Sequence, residues 1–529
     1  MRIERHQVAT PALDDFSDRI GRQVHSYSRA GLMTATEWQL ISDAFLDQLG
    51  ALSVTSPELS SPEARALLRN AAEAAAGAVS FAAYYPRERF SVFLDYVNIG
   101  MSYDPEAADT PTPLTAHRWV NAFCLAVLTD TFDRHAEAFI FTWQALASSS
   151  DLATALLSHF LTRIDAPSNA GDDPALRALH ALATLDRPAF DAAVLALLDR
   201  TDGTRPRTLL PLLPLALSAL AHRAHGWLPT VESDYLPHSL VTGFATPERR
   251  PEDMAWPVRL DRPTPPIPLH PDSEAHYERG IRRAIAPEPD DGYPVSSLAH
   301  AFGQQVRLFR ARASHADDIT DTQLADLRLA SGIGSALSRI ALADPGSTVA
   351  VTLAGRTVYF PATRDDDTGP GHWQLAVNLA LITGNQDDLA PLLLTGPTHS
   401  TGDRSVYAAY RLALHDHLRG IDARPAVEKA RLEAARAQEW GFFPAPVALL
   451  SQLVDGDEAG FNLALLDALT AHRDHHRVAD RATEPTAPLN LDVLALACHA
   501  RRHRGWTVRV ESPYLPARLL RGHDSAHRH

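Results

Sequence analysis

One heptapeptide occurs twice in this chain, and its second appearance restricts the fold more than any other feature. Val231-Glu232-Ser233-Asp234-Tyr235-Leu236-Pro237 returns as Val510-Glu511-Ser512-Pro513-Tyr514-Leu515-Pro516. An apolar helical run, a basic or His-rich stretch and a Gly-Trp pair (Gly226-Trp227, Gly505-Trp506) precede each copy. An apolar pair follows each, Leu240-Val241 or Leu519-Leu520. An ordered set that recurs at long spacing marks a duplicated structural unit. Length alone would divide the 529 residues into three or four domains, but the repeat points to two, each of roughly 240 residues. The expected boundaries are residues 1–245 for the first unit, 246–271 for a linker, 272–521 for the second unit and 522–529 for a disordered tail holding His523, His527 and His529.

Ala and Leu outnumber the β-branched and aromatic residues. Unbranched side chains lose little rotamer freedom in a helix, so a mostly α architecture is expected. Ser61-Pro62-Glu63 supplies a hydroxyl cap, a proline at the first helical position and an acid at the positive dipole end, and opens an Ala-rich helix. Trp38, Leu40, Ile41, Phe45 and Leu49 are expected on one helical face. Thr112-Pro113 and Asp173-Pro174 read as further helix starts. The clearest hairpin is 348–360, two alternating β-branched runs around Ala354-Gly355. The β-prone segment from Phe90 takes its place in the first half. Eight prolines fall between Thr246 and Pro271, a density that excludes helix and sheet ladders and implies an extended, semi-rigid bridge. From Trp119 to Tyr235 the chain runs 116 positions, and from Trp373 to Tyr514 it runs 141; loops commonly absorb such insertions.

The net charge of −15 argues against a sequence-independent grip on nucleic acid, whose phosphates require a Lys/Arg excess. It suits a basic protein partner, and equally a plain solvated surface. Cys124 and Cys498, far apart in apolar runs, build neither a disulfide framework nor a zinc site. The N-terminal stretch lacks the apolar core of a signal peptide. The run Leu209–Ala221 is short for a bilayer and carries Pro211 and Pro214. A cytoplasmic location without membrane contact is the expectation.

A further series of residues carries a family resemblance. The hairpin leads to Phe360-Pro361-Ala362-Thr363 and to Trp373 heading a helix. Phe461-Asn462 through Ala468-Leu469 to His472 follows, then Leu494-Ala495, Ala497-Cys498 and the closing heptapeptide. In that order they resemble the immunity protein 49 family of bacterial polymorphic toxin systems. The first half keeps Trp119, Phe190 and Glu232-Ser233 through Pro237. It lacks the Pro-Ala-Thr triplet, and Asp199-Arg200 ends the helix where a His would stand. The resemblance implies mostly helical, non-enzymatic cytoplasmic proteins, encoded beside a toxin that they neutralise by binding. A typical member has one such domain, so two would form a pseudo-dimer within the chain.

No Gly-x-Gly-x-x-Gly, P-loop or Gly-x-Ser-x-Gly elbow is present, so no catalytic residue and no cofactor is expected. Candidate contacts for a basic toxin are the acids Asp365, Asp366, Asp367, Asp387, Asp388 and Glu511 with the aromatics Trp373 and Tyr514. For Trp373 and Tyr514 a core role is the plainer reading, and for the Asp runs a solvated loop. His472 and His476 share a helical face, but zinc requires further ligands that the neighbourhood in sequence does not supply, so no metal site is expected. The rival functions are a helical scaffold without a toxin and an enzyme using His472, His475 and His476. A polar cavity lined by converging ionisable groups would favour the enzyme.

Overall fold

The computed structural model describes residues 2–9, 15–105, 114–147, 150–162, 171–244, 249–262, 270–286, 295–313, 318–363, 369–397, 405–439, 443–479 and 481–521. These form two compact units, Met1–Pro247 and Glu248–His529. Helices dominate both, and the strands among the described residues pair only two by two.

In the first unit the helices Phe16–Ala30, Ala35–Thr55 and Pro62–Tyr84 precede a hairpin of Phe90–Leu94 with Ile99–Tyr103. Ala116–Thr129, Phe132–Leu146, Asp151–Thr162, Pro174–Ala183, Arg187–Leu198 and Leu212–His225 follow, and the short helix His238–Thr242 closes the unit. The second unit runs Pro271–Ile285, Val295–Ala313, Asp321–Leu342, a hairpin of Thr348–Leu353 with Arg356–Pro361, then Pro370–Thr383, Gln386–Thr395 and Ala408–Leu418. After an added helix, Arg424–Glu439, come Val447–Asp455, Glu458–His475, Leu491–His499 and the closing Ala517–Arg521. The order is the same one for one, apart from Arg424–Glu439, which accounts for most of the extra length.

Packing repeats as well. Pro62–Tyr84 lies against Ala35–Thr55, Ala116–Thr129 and Phe132–Leu146, and Asp321–Leu342 lies against the corresponding three helices of its own unit. The Trp-bearing helix of each unit packs on the last long helix, Ala116–Thr129 on Leu212–His225 and Pro370–Thr383 on Leu491–His499. At Gly334 a Cβ would fall 2.7 Å from the Ala376 Cβ, so glycine is what lets those two helices approach.

The repeated heptapeptide has one backbone design in both units. Gly226 and Gly505 end the preceding helices in the left-handed region (φ 68° and 71°), and the Trp N–H that follows reaches back to Ala221 O or Ala500 O. Glu232–Ser233 pairs in parallel with Arg2–Ile3, and Val510–Glu511 with Val258–Arg259. The Ser233 and Ser512 hydroxyls accept from the Tyr235 and Tyr514 N–H groups, and both tyrosines are buried. Each Pro then starts the closing helical turn, its carbonyl taking the N–H of Leu240 or Leu519. Phe190 meets Trp227 at 6.0 Å between ring centroids, and Phe461 meets Trp506 at 5.4 Å.

Two expectations need correction. Val258–Arg259 forms a strand pair inside the proline-rich span, because Pro257 stands just outside the pair and leaves the Val258 N–H free to reach Arg509 O at 3.0 Å. Leu40 is 45% exposed, whereas Trp38, Ile41, Phe45 and Leu49 are sealed; two positions from Trp38 on a helix lies near the opposite side. Thr112-Pro113 lies outside the described residues, and the described cap is Thr115, which accepts from Arg118 N. The tail with His523, His527 and His529 and the prolines from Pro263 to Pro268 also lie outside them. Among the described residues no helix is long and apolar enough to cross a membrane.

Candidate functional site: a polar cavity in the second unit

The helix Glu458–His475 buries Phe461, Leu465, Leu469 and His472, spaced four, four and three residues apart, and His476 caps the same stripe. The apolar face of a helix therefore delivers two imidazoles into the interior. They line a cavity of about 370 Å³ together with Arg310, Gln374, Asn378, Tyr407, Arg411, His475 and Asp492. Five helices contribute: Val295–Ala313, Pro370–Thr383, Ala408–Leu418, Glu458–His475 and Leu491–His499.

The polar groups are largely interlocked. Asp492 Oδ1 accepts from Gln374 Nε2 and Asn378 Nδ2, each at 2.6 Å. Arg411 Nε donates to Gln374 Oε1 at 2.9 Å, and the Tyr407 hydroxyl donates to Phe443 O at 2.7 Å. His472 Nε2 donates to Ala487 O at 3.2 Å, which leaves its Nδ1 to accept from Asn490 Nδ2 at 3.4 Å. His476 Nδ1 donates to Arg481 O at 3.1 Å, and Arg481 donates to His475 Nδ1 at 3.2 Å.

Burial, and then the neighbouring His476 ring, push His472 down to about 3. Burial and the Arg481 charge push His475 to about 3. His476 is lowered to about 4, first by burial. All three imidazoles are neutral at pH 7. Arg310 is lowered to about 10 by burial, against the pull of Asp492, and stays charged.

Folding brings Glu484 to His475 and His476, with one candidate ligand atom of each within 4.8 Å of the others. The Arg481 guanidinium hydrogen-bonded to His475 sets a fixed positive charge beside that group, a poor setting for a cation. The trio carries no metal assignment.

The described contact residues read from the sequence stand on several different elements. Trp373 is buried, with Nε1 donating to Leu392 O at 2.8 Å, and Tyr514 is buried against the His472 ring at 5.1 Å. Neither ring stands on the surface for a partner to touch, because both fill the core of the second unit. Asp388 is half-buried and accepts from the Ser331 hydroxyl at 2.7 Å; burial raises its pKa above the usual range. Asp387 and Glu511 are exposed, one in the first turn of Gln386–Thr395 and the other on the short parallel strand. Asp365, Asp366 and Asp367 lie outside the described residues. Cys124 and Cys498 are free and buried, and burial pushes each thiol up to about 12.

Arg310, Gln374, Asn378, Arg411 and Asp492 were not read from the sequence. A signal was there: Gln374 and Asn378 stand one and five positions after Trp373, where Val120 and Cys124 follow Trp119. A register comparison of the two copies would have exposed polar residues at buried helical positions.

No curated protein and no solved structure matches the chain. The family model for immunity protein 49 matches residues 56–240 and again residues 316–519. Those two stretches fall one in each compact unit and cover most of both, so the chain belongs to the immunity protein 49 family and carries its domain twice.

Proposed function

We propose that this protein neutralises a cognate bacterial toxin by binding it stoichiometrically in the cytoplasm of the cell that makes both. The observation that supports the reading is the family match in both halves. Its chemistry would be that of an interface: a few buried anchors supply affinity while charged rim residues raise the association rate. With a net charge of −15, the chain would attract a basic toxin. Asp387 and Glu511 are the exposed acids from which such steering would start, with Asp365, Asp366 and Asp367 as further candidates. The second unit is the better candidate for the binding copy because it keeps Pro361-Ala362-Thr363 and His472.

The polar cavity supports a second reading, an enzyme built on this fold. Its histidines weigh against that reading. Both ring nitrogens of His472 are engaged, and a group lowered to about 3 has little proton affinity left for general-base work near neutral pH. A binding role for the cavity fits its chemistry better.

The test is co-expression with the toxin domain encoded in the adjacent reading frame. Growth should be rescued, and the two chains should co-elute at fixed stoichiometry. Rescue without a complex, or a complex without rescue, refutes neutralisation by binding.

A further inference from the structure

We propose that the second unit holds a binding site for a small organic oxyanion, a carboxylate or phosphate that also carries hydroxyl or amino groups, seated between Arg310 and Asp492. The inference is independent of the toxin reading and begins from a contrast within one helix. Arg310 and Arg312 share the last turn of Val295–Ala313. Arg312 is matched by three carboxylates, Glu274, Glu278 and Asp326. Arg310 has no hydrogen bond or ion pair among the described residues, and its Nε is sealed from solvent. A buried guanidinium without an anion is costly to the fold. The Asp492 carboxylate is felt electrostatically but forms no ion pair with it among the described residues, and one of its oxygens is already held by Gln374 and Asn378.

Arg310 lines the cavity with a guanidinium that makes no hydrogen bond among the described residues, and such a planar fork recognises carboxylate or phosphate through paired hydrogen bonds. A second polar atom near it is left unmatched by the fold. Asn378 Oδ1, on a residue lining the same cavity, is an acceptor without a donor. The Asp492 oxygen that Gln374 and Asn378 leave free could receive a hydroxyl or amino group of the ligand. A volume of about 370 Å³ lies in the range of small-ligand sites.

The other copy indicates that the fold itself does not need these polar groups. Counted from Trp119, the positions of Gln374 and Asn378 hold Val120 and Cys124; counted back from Gly226, the position of Asp492 holds Leu213. Val120 and Cys124 are buried in a helix that packs as its counterpart does. Apolar residues thus build the same architecture, and the polar set in the second unit is more than the fold requires.

The full chain would be titrated with inorganic phosphate, succinate, malate and glycerol 3-phosphate, with chloride at matched ionic strength as control, by thermal shift and calorimetry. At least one oxyanion should raise the melting temperature saturably, with glycerol 3-phosphate or malate binding more tightly than phosphate or succinate. Arg310→Met should weaken that binding by roughly tenfold or more. If Arg310→Met does not fold, Arg310→Lys, which keeps the charge but loses the fork, should bind more weakly than the wild type. The proposal is overturned if no oxyanion exceeds chloride, if the arginine variants bind as the wild type does, or if Arg310→Met loses only toxin binding. That last result would make the cavity a socket for an acidic side chain of the partner.

Discussion

Replacing Arg502 by Met tests whether the two copies, alike in plan, are fastened differently at the same place. Arg502 donates to Leu381 O at 2.6 Å, Ile382 O at 2.7 Å and Leu519 O at 2.6 Å. It thereby ties the end of the Trp373 helix to the closing turn after the heptapeptide. The first two carbonyls belong to a helix C-terminus, where intrahelical donors have run out and the dipole favours a cation. A hydrogen bond to a charged group contributes about 1.5–3 kcal/mol. Three bonds from one half-exposed guanidinium do not add fully, since water reaches the vacated carbonyls, so the loss should be about 3 kcal/mol. The counterpart in the first unit is Arg223, whose NH1 lies 3.3 Å from Asp130 Oδ1 in an exposed pair. Such pairs contribute about 0–1 kcal/mol, so Arg223→Met is the internal control. Hydrogen exchange by mass spectrometry reads both sites in the intact chain. Peptides covering 376–383 and 517–521 should exchange roughly a hundredfold faster in Arg502→Met, while peptides covering 122–129 should barely change in Arg223→Met. Equal effects in the two units, or unchanged exchange at 376–383, would refute the reasoning.

Acid should loosen the second unit selectively. His417, His472, His475, His476 and His499 all lie there and are lowered to between about 3 and about 4, burial being the first cause in each. Their folded pKa values lie below the ordinary value of about 6.5, so the unfolded chain binds more protons in between. Stability is full above about pH 6.5 and falls as the pH drops toward 4, by about 1.4 kcal/mol per pH unit for one fully shifted group such as His472. Urea unfolding followed by hydrogen exchange at pH 7 and pH 5 checks this; equal protection of the second unit at both would contradict it. Phe461→Ala removes a fully buried ring packed on Trp506 and should cost about 3–5 kcal/mol, read from the denaturant midpoint of the second unit. Asp387→Lys with Glu511→Lys should slow association with a basic toxin severalfold at low salt and less at high salt, as surface plasmon resonance would show. An unchanged on-rate would exclude these acids from the steering surface.

Much of the fold was legible because its determinants are local. Ser61 caps its helix by accepting from Ala64 N, Asp173 caps by accepting from Ala175 N, and the Ala354-Gly355 turn has both residues at positive φ. Each is a choice made within a few residues, which sequence records directly. The strand pair of Val258–Arg259 with Val510–Glu511 was not legible, since it joins segments about 250 positions apart and proline density argued against it. The site was the least legible part. Asp387 and Glu511 draw attention as charges, yet they sit on different elements, a helix's first turn and a short strand. Arg310, Asn378 and Asp492 come from three helices and converge only through packing, so no local spacing announces them.

The duplication changes what a buried polar residue means here. In a single domain, Gln374 and Asn378 around Asp492 could be taken as a network that orders a helix pair, a use buried polar groups sometimes have. The same helix pair assembles in the first unit around Val120, Cys124 and Leu213, so ordering it requires no such network. Retaining one also leaves Arg310 Nε and Asn378 Oδ1 without partners, a cost that apolar residues would avoid. A fold-driven account therefore leaves the second copy worse off than the first for no gain. The imbalance shrinks if the Arg310 charge meets an anion that enters the cavity it lines. On that reasoning the copies have divided their roles: the first is the apolar version of the framework, and the second keeps the chemistry.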